Sequence, residues 1–158
     1  MKELNKIKSF TIDHTIHEAG FYLATVSNNI FTYDLRFKKP NAGDYVDIAA
    51  MHTIEHLFAT VVRNSKVKDK VVYFGPMGCR TGFYLLLLGI NKQEALNITK
   101  DCMKECLELE EVPGCSPEEC GNYKEHDLNK AKKEIKMYLK VLNTIDNVKD
   151  YDSLKENK

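Results

Sequence analysis

A surplus of charge of either sign is missing from this 158-residue sequence, in which 23 lysine and arginine residues balance 23 aspartate and glutamate residues. Binding to a phosphate backbone needs a basic surplus or a concentrated basic patch. The most basic stretch, residues 124–140, mixes lysines with acidic side chains, which is typical of a solvated helix face. The sequence therefore argues against a nucleic acid as the main partner.

Long apolar runs are missing as well. No segment of about 18 residues is apolar enough to span a membrane, and residues 1–10 contain charged side chains where a signal peptide has its apolar core. We therefore expect a cytoplasmic protein with no membrane partner. Thiols stay reduced in the cytoplasm, and the odd count of five cysteines does not suit a set of disulfides. Metal binding, catalysis or simple burial is the expected use of cysteine.

Internal repeats, low-complexity tracts and Gly/Ser-rich linkers are also absent, so residues 1–158 are expected to form a single domain. Aromatic and β-branched residues predict strands at 21–26, 30–37, 71–74 and 81–90, with a tight hairpin turn between the first two. Apolar residues at helical spacing predict helices at 44–64, 91–110 and 129–143, and a polar tail at 150–158 that can fray. Strands and helices do not alternate regularly, which predicts an α+β fold with helices packed on one face of an antiparallel sheet.

The clearest chemical motif is His52-Thr53-Ile54-Glu55-His56, inside the first predicted helix, for which Asn41 or Asp44 is the expected cap. Helix positions i, i+3 and i+4 share one face, so two imidazoles can bind one cation with a carboxylate beside them. The same H-x-x-E-H spacing occurs in the inverted zincin peptidases. A five-residue pattern also arises by chance, and two surface histidines on an amphipathic helix are the simpler alternative.

A two-histidine site needs a third protein ligand, and Cys120 is the candidate. A thiolate favours a soft or borderline divalent ion such as Zn²⁺, Fe²⁺ or Co²⁺. An inert loop thiol is the alternative for Cys120. A four-thiolate zinc site with Cys102, Cys106 and Cys115 is a further alternative, but no CxxC pair is present, and Cys102 and Cys106 also fit the packing face of a helix. His126 fits a helix start, or a group behind the ligands, better than a ligand.

A second thiol, Cys79, lies in residues 75–82, a segment with three glycines and a proline. Such a turn between strands can hold a side chain at the end of a sheet and leave space for a substrate. A thiol there can act as a nucleophile or as an acid–base group if a cation, either Arg80 or the metal, lowers its pKa. Burial as a small apolar side chain is the alternative, since most free cysteines are buried.

In this combination and order, the motifs resemble those of the S-ribosylhomocysteine lyases, the autoinducer-2 production proteins. The resemblance covers nearly the whole chain, through residues 9–14 (SFTIDH), 33–37 (YDLRF), 52–57 (HTIEHL), 76–82 (PMGCRTG), 120–121 (CG) and 126–128 (HDL). There are departures from the family pattern. The hairpin turn at 27–29 is short, the loop at 113–115 differs, and Tyr73 stands where many members carry an acidic residue.

The resemblance implies three groups of site residues: the metal ligands His52, His56 and Cys120, the proton-transferring pair Cys79 and Glu55, and the substrate contacts Ser9, His14 and Arg36. It implies one divalent metal per subunit, Fe²⁺ natively, with Zn²⁺ or Co²⁺ as substitutes. Family members are homodimers with two sites at the subunit interface, and the same arrangement is expected here.

The implied substrate is S-ribosyl-L-homocysteine, and the products are L-homocysteine and 4,5-dihydroxy-2,3-pentanedione, the precursor of autoinducer-2. The carbonyl moves from C1 to C2 to C3 of the ribose, and the thioether then leaves by β-elimination. Each shift removes a proton beside a carbonyl, so the reaction needs charge stabilisation and at least two acid–base groups. The sequence has no Gly-rich phosphate loop, which is consistent with an unphosphorylated substrate.

Two other functions fit parts of the pattern. An H-x-x-E-H metallohydrolase would use Glu55 to activate water, would not need Cys79, and would usually take a carboxylate as its third ligand. A zinc-stabilised interaction module would have a closed site of four ligands and would unfold when the metal is removed.

Overall fold

The computed structural model describes residues 1–155, which form a five-stranded sheet and three α-helices. The strands are β1 (Gly20–Ser27), β2 (Ile30–Arg36), β3 (Val71–Pro76), β4 (Gly82–Leu88) and β5 (Lys149–Asp150). The helices are α1 (Ile48–Val62), α2 (Lys92–Cys106) and α3 (Leu128–Leu142), and short 3-10 helices lie at Lys8–Phe10, Lys68–Lys70 and Tyr151–Leu154. None of the helices in the described range has the length and apolar character that crossing a lipid bilayer requires.

The sheet has the strand order β3-β4-β2-β1-β5, and its first four strands pair antiparallel. The β1–β2 hairpin turns at Asn28 and Asn29, whose φ angles of 51° and 60° lie in the left-handed region that asparagine tolerates. The predicted α+β fold with an antiparallel sheet is confirmed. The sequence did not predict β5, a two-residue strand that pairs parallel with β1 at one edge.

The three helices cover one face of the sheet and enclose the main core. Successive residues of a strand point to opposite faces, and α1 contacts α2, α3 and β3. The core on this side includes Tyr33 and Leu35 of β2, Phe83 and Leu85 of β4, and Ile54, Leu57 and Phe58 of α1. Apolar burial of this kind contributes roughly 1.5–3 kcal/mol per large side chain, so it fixes α1 firmly against the sheet.

Each α-helix begins after an Asp or Asn that accepts a backbone N–H three residues on, namely Asp47, Asn91 and Asp127. Such caps satisfy backbone donors that the helix leaves free. The prediction that Asn41 or Asp44 caps the first helix is wrong. Asp47 accepts the N–H of Ala50 at 3.1 Å, and residues 44–47 are not helical.

The opposite face of the sheet is covered by the two ends of the chain. Asp34 and Arg36 point to this side because they alternate with the core residues of β2. A smaller apolar cluster on this side joins both chain ends to β1 through Ile12, Tyr22, Ala24, Tyr151 and Leu154. The tail predicted at 150–158 therefore packs on the domain over Tyr151–Leu154, while 156–158 lie outside the described residues.

Candidate metal centre and substrate cavity

Helix α1 carries the two histidines of the H-x-x-E-H motif on its less buried side. His52, Glu55 and His56 are partly exposed, whereas Thr53 and Ile54 are fully buried. Residues four apart lie one helical turn from each other, and the two imidazole rings are 4.7 Å apart between centroids. The rings are therefore close enough to share one ion.

Backbone carbonyls from the loops before α3 orient both rings. His52 Nδ1 lies 2.8 Å from the carbonyl oxygen of Glu125, and His56 Nδ1 lies 2.8 Å from that of Pro113. A carbonyl oxygen only accepts hydrogen bonds, so each Nδ1 carries the proton and donates it. Each Nε2 then has a free lone pair, which is the tautomer that a metal-binding imidazole needs.

Cys120 adds a sulfur donor to the two histidines. Its backbone N–H donates to the carbonyl of Ser116 at 3.0 Å, which holds Cys120 in a turn. Its Sγ lies 3.5 Å from His52 Nε2 and 3.8 Å from His56 Nε2. Donors around a tetrahedral ion, bonded at about 2.0 Å to nitrogen and about 2.3 Å to sulfur, lie about 3.5 Å apart. The three donors therefore fit a divalent ion of borderline softness.

A fourth donor, His126, adjoins the cluster, and the four ligand atoms all lie within 4.8 Å of one another. Its Nε2 is 3.9 Å from Cys120 Sγ, and its Nδ1 is 2.9 Å from Oγ1 of Thr53. Burial, together with His52 and His56, lowers the pKa of His126 to about 4. The sequence favoured a helix start, or a group behind the ligands, over a ligand. His126 does precede the cap of α3, but its ring also lies among the donors.

The other cysteines do not join this site. Cys102 and Cys106 lie on α2 in the main core, 3% and 0% exposed. Burial raises the pKa of Cys102 to about 12 and raises the pKa of Cys106 as well. Both therefore stay protonated at neutral pH. Their role is packing, and the four-thiolate alternative is excluded.

A cavity of about 430 Å³ lies on the sheet face away from the helices. It brings together Ser9, His14, Arg36 and Cys79, which the resemblance assigned to substrate contact and proton transfer. The volume lies in the range of small-molecule sites. Cys79 is exposed to solvent, so the alternative in which it is a buried apolar side chain is wrong.

Arg36 is held in the cavity wall by a buried ion pair. Its guanidinium makes two hydrogen bonds to Asp34, of 3.1 Å to Oδ1 and 2.6 Å to Oδ2. Tyr151 donates its hydroxyl to the same Oδ2 at 2.7 Å. Burial lowers the pKa of Arg36, but the Asp34 carboxylate outweighs this effect and holds that pKa above its ordinary value. Arg36 therefore stays charged.

Hydrogen bonds connect Arg36 to Cys79 through the hydroxyl of Thr81. Nη1 of Arg36 donates to Thr81 Oγ1 at 2.8 Å, and the same Oγ1 lies 3.1 Å from Cys79 Sγ. The sequence offered Arg80 or the metal as the cation that acts on Cys79. Arg80 donates instead to the carbonyl of Val46 at 3.3 Å. Arg36 is thus the guanidinium that a chain of hydrogen bonds connects to the thiol.

The cavity and the metal cluster are separate within one chain. The cavity is lined by Arg36 and Tyr84 on the face of the sheet away from the helices, whereas His52 and His56 lie on α1. Among the described residues, no member of the metal cluster lines this cavity. Glu55 lies on α1, three residues after His52 and one residue before His56. One chain therefore places Glu55 on the helix of the metal donors, and Cys79 in the cavity with Ser9, His14 and Arg36, but it does not bring these two groups together.

Comparisons with known proteins show the family of this chain. A family model described as S-ribosylhomocysteinase (LuxS) matches residues 7–149. The S-ribosylhomocysteine lyase of Borreliella burgdorferi (strain ZS7) is 48% identical over 149 residues, which cover 90% of this chain and 95% of that protein. The S-ribosylhomocysteine lyases of Finegoldia magna and Phocaeicola vulgatus are 43% and 41% identical, over 90% and 86% of this chain and 94% and 89% of theirs. The metallohydrolase alternative finds no support among these relatives. The chain belongs to the S-ribosylhomocysteinase (LuxS) family.

Proposed function

We propose that this protein is an S-ribosylhomocysteine lyase. It cleaves the carbon–sulfur bond of S-ribosyl-L-homocysteine and releases L-homocysteine and 4,5-dihydroxy-2,3-pentanedione, the precursor of autoinducer-2. The observation that carries the proposal is the convergence of His52, His56 and Cys120 in a chain that matches the lyase family over residues 7–149.

The proposed metal ligands are His52, His56 and Cys120. One divalent cation per subunit suits this set of two imidazoles and one thiolate, with Fe²⁺ as the natural ion and Zn²⁺ or Co²⁺ as substitutes. When bound, the cation supplies Lewis-acid stabilisation of the negative charge that develops on the sugar oxygens. The hydrogen bonds from His52 and His56 to backbone carbonyls leave both Nε2 atoms free to hold the cation when it binds.

Cys79 and Glu55 are the proposed proton-transfer groups. Each carbonyl shift takes a proton from one carbon and returns a proton to its neighbour, so a base on one side of the sugar must act together with an acid. Cys79 and Glu55 share these transfers, and the thiolate of Cys79 is one base that can accept a proton from carbon. Each group contributes about 10²–10⁴-fold to the rate by general acid–base action.

Ser9, His14 and Arg36 are the proposed substrate contacts. Their polar groups line the same cavity as Cys79, and hydroxyl and imidazole groups can both donate to and accept from sugar hydroxyls. Two nitrogens of Arg36 already donate to Asp34, so this side chain is also held in place as part of the cavity wall.

A second copy of the chain is proposed to complete the site. Cys79 and the metal cluster do not share a cavity in one chain, yet the reaction needs both at one sugar. A homodimer in which α1 of one copy faces the cavity of the other gives two complete sites at the interface. The enzyme is proposed to act in the cytoplasm, where Cys79 and Cys120 stay reduced.

Mixing two inactive variants tests the shared site. Cys79→Ala damages the cavity half, and His56→Ala damages the metal half. After subunit exchange, a mixed dimer has one site with both halves intact and one site with both halves damaged. Random exchange therefore restores about a quarter of wild-type turnover. No recovery in dimers shown to have exchanged would mean that each site uses residues of one chain only.

The activity itself is tested by thiol release. Purified protein loaded with Fe²⁺ or Co²⁺ without oxygen is mixed with S-ribosylhomocysteine, and the free thiol of homocysteine is titrated. We expect stoichiometric release that disappears in His56→Ala. If fully metallated protein releases no thiol, the proposed function is wrong.

A further inference from the structure

The hydroxyl of Thr81 lies between a fixed cation and a reactive thiol. A hydroxyl has one hydrogen to donate, and a guanidinium can only donate. Thr81 Oγ1 therefore accepts from Arg36 Nη1 at 2.8 Å and keeps its own hydrogen free. Cys79 Sγ, 3.1 Å away, receives that hydrogen when it is a thiolate. The side chain of Thr81 is 1% exposed, so little water competes for these bonds.

The surroundings of Cys79 place a hydrogen-bond donor at its sulfur. A donor bound to a hydroxyl oxygen makes that hydroxyl a stronger donor and a weaker acceptor. Besides Arg36, the titratable groups that line the cavity with Cys79 are His14, Tyr45 and Tyr84, and no carboxylate lines it among the described residues. The Asp34 carboxylate accepts from Nε and Nη2 of Arg36, whereas Nη1 is the nitrogen that donates to Thr81.

The Asp34 carboxylate that binds Arg36 is itself held by a further hydrogen bond. Tyr151, in the C-terminal 3-10 helix, donates to Asp34 Oδ2 at 2.7 Å. The resulting order of contacts is Tyr151, Asp34, Arg36, Thr81 and Cys79. It runs from a buried side chain near the end of the chain to the exposed thiol in the β3–β4 turn.

We propose that Thr81 is a positioning residue for Cys79: its hydroxyl, fixed by Nη1 of Arg36, donates a hydrogen bond to the sulfur and orients the thiolate that accepts a proton from carbon. This inference deepens the proposed lyase function and rests on it for the use of that thiolate. In the step, a C–H bond breaks and an S–H bond forms, and the electron pair moves to the enediolate of the sugar. Thr81 keeps its own proton throughout.

Alkylation of Cys79 tests the relay without any substrate. Metal-loaded full-length protein is treated with iodoacetamide at pH 7, and the modified Cys79 peptide is quantified against time by mass spectrometry. Only the thiolate reacts at a useful rate. Thr81→Val removes the hydroxyl at constant shape, and we expect alkylation to slow by roughly tenfold or more, since a hydrogen bond to a charged group is lost. Thr81→Ser keeps the hydroxyl, and alkylation should stay within about twofold of wild type.

A matched control is Thr99→Val. Thr99 is buried in α2, and its Oγ1 has no hydrogen-bond partner among the described residues. The same loss of a hydroxyl there should leave the alkylation rate unchanged.

Equal alkylation rates in wild type and Thr81→Val would overturn the relay, and so would a Thr81→Ser variant as slow as Thr81→Val. If circular dichroism shows that Thr81→Val does not fold, Thr81→Ala is compared with Thr81→Ser, from which it differs only by the hydroxyl.

The alkylation test of Thr81 and the thiol-release test of the proposed lyase function can fail independently. Slow alkylation in Thr81→Val together with no thiol release from wild type would support the relay and contradict the proposed function. Wild-type turnover with unchanged alkylation in Thr81→Val would support the lyase and overturn the relay.

Discussion

His56 Nδ1 donates a hydrogen bond of 2.8 Å to the carbonyl oxygen of Pro113. The peptide that carries this carbonyl leads into Gly114, whose φ of +67° is left-handed. An added Cβ at Gly114 would lie 3.5 Å from the same Nδ1. Residues other than glycine rarely adopt this conformation. The orientation of His56 toward Cys120 therefore depends on a backbone turn that glycine makes possible.

Gly114→Ala is expected to weaken metal binding roughly 10- to 100-fold, the usual cost of disturbing a group that orients a ligand. The measurement is a competition titration of Co²⁺ or Zn²⁺ against a chelator. Gly43→Ala is the matched control, because Gly43 also has a left-handed φ, of +78°, but has nothing within 4 Å of an added Cβ. It should lose a similar free energy of unfolding and keep its metal affinity. Equal metal affinity in both variants would contradict this account of His56.

Tyr151→Phe is expected to reduce the free energy of unfolding by about 1.5–3 kcal/mol, because it removes a hydrogen bond to a buried carboxylate. Urea denaturation of the metal-loaded protein measures the change. Tyr73→Phe is the control, since Tyr73 is 52% exposed and the loss of its hydroxyl should cost less than about 0.5 kcal/mol. A Tyr151→Phe midpoint equal to wild type would show that the C-terminal contact does not support Asp34.

His17 makes stability depend on pH. Burial, followed by the charges of Arg36 and His14, lowers the pKa of His17 to about 3, and its Nε2 is 3.4 Å from Asp34 in a site with 0% exposure. The unfolded chain takes up a proton on His17 below about pH 6.5, and the folded chain does not until about pH 3. The stability contributed by neutral His17 is therefore present above pH 6.5 and is lost as pH falls toward 3.

His17→Phe removes this titration and keeps a ring of similar size. Between pH 7 and pH 5, wild type should lose about 2 kcal/mol more of its free energy of unfolding than the variant. Urea denaturation of both proteins at the two pH values measures the difference. Equal losses in the two proteins would mean that His17 is protonated, or exposed, in the folded state.

Local sequence patterns predicted those parts of the site whose geometry is set by residues close together in the sequence. The four-residue spacing of His52 and His56 depends only on helix geometry, and the turn around Cys79 follows from its glycines and proline. The α+β class followed in the same way from the order of the elements. The roles of these residues in catalysis stay predictions.

Contacts between distant residues were not predictable from these patterns. Tyr151 and Asp34 are 117 positions apart, and Thr53 and His126 are 73 apart. No spacing rule connects such pairs, because the sheet order and the path of the loops bring them together. The sequence offered Arg80 or the metal as the cation near Cys79 and did not point to Arg36, because adjacency in sequence says little about which guanidinium faces a thiol.

The most direct test of the account is Cys79→Ala, assayed for turnover of S-ribosylhomocysteine and for metal content on the same sample. Cys79 lies in the cavity, apart from the metal donors. The account therefore predicts that the variant keeps one divalent ion per chain and loses release of homocysteine. Full turnover in a metallated Cys79→Ala protein would contradict the proposed proton transfer at Cys79.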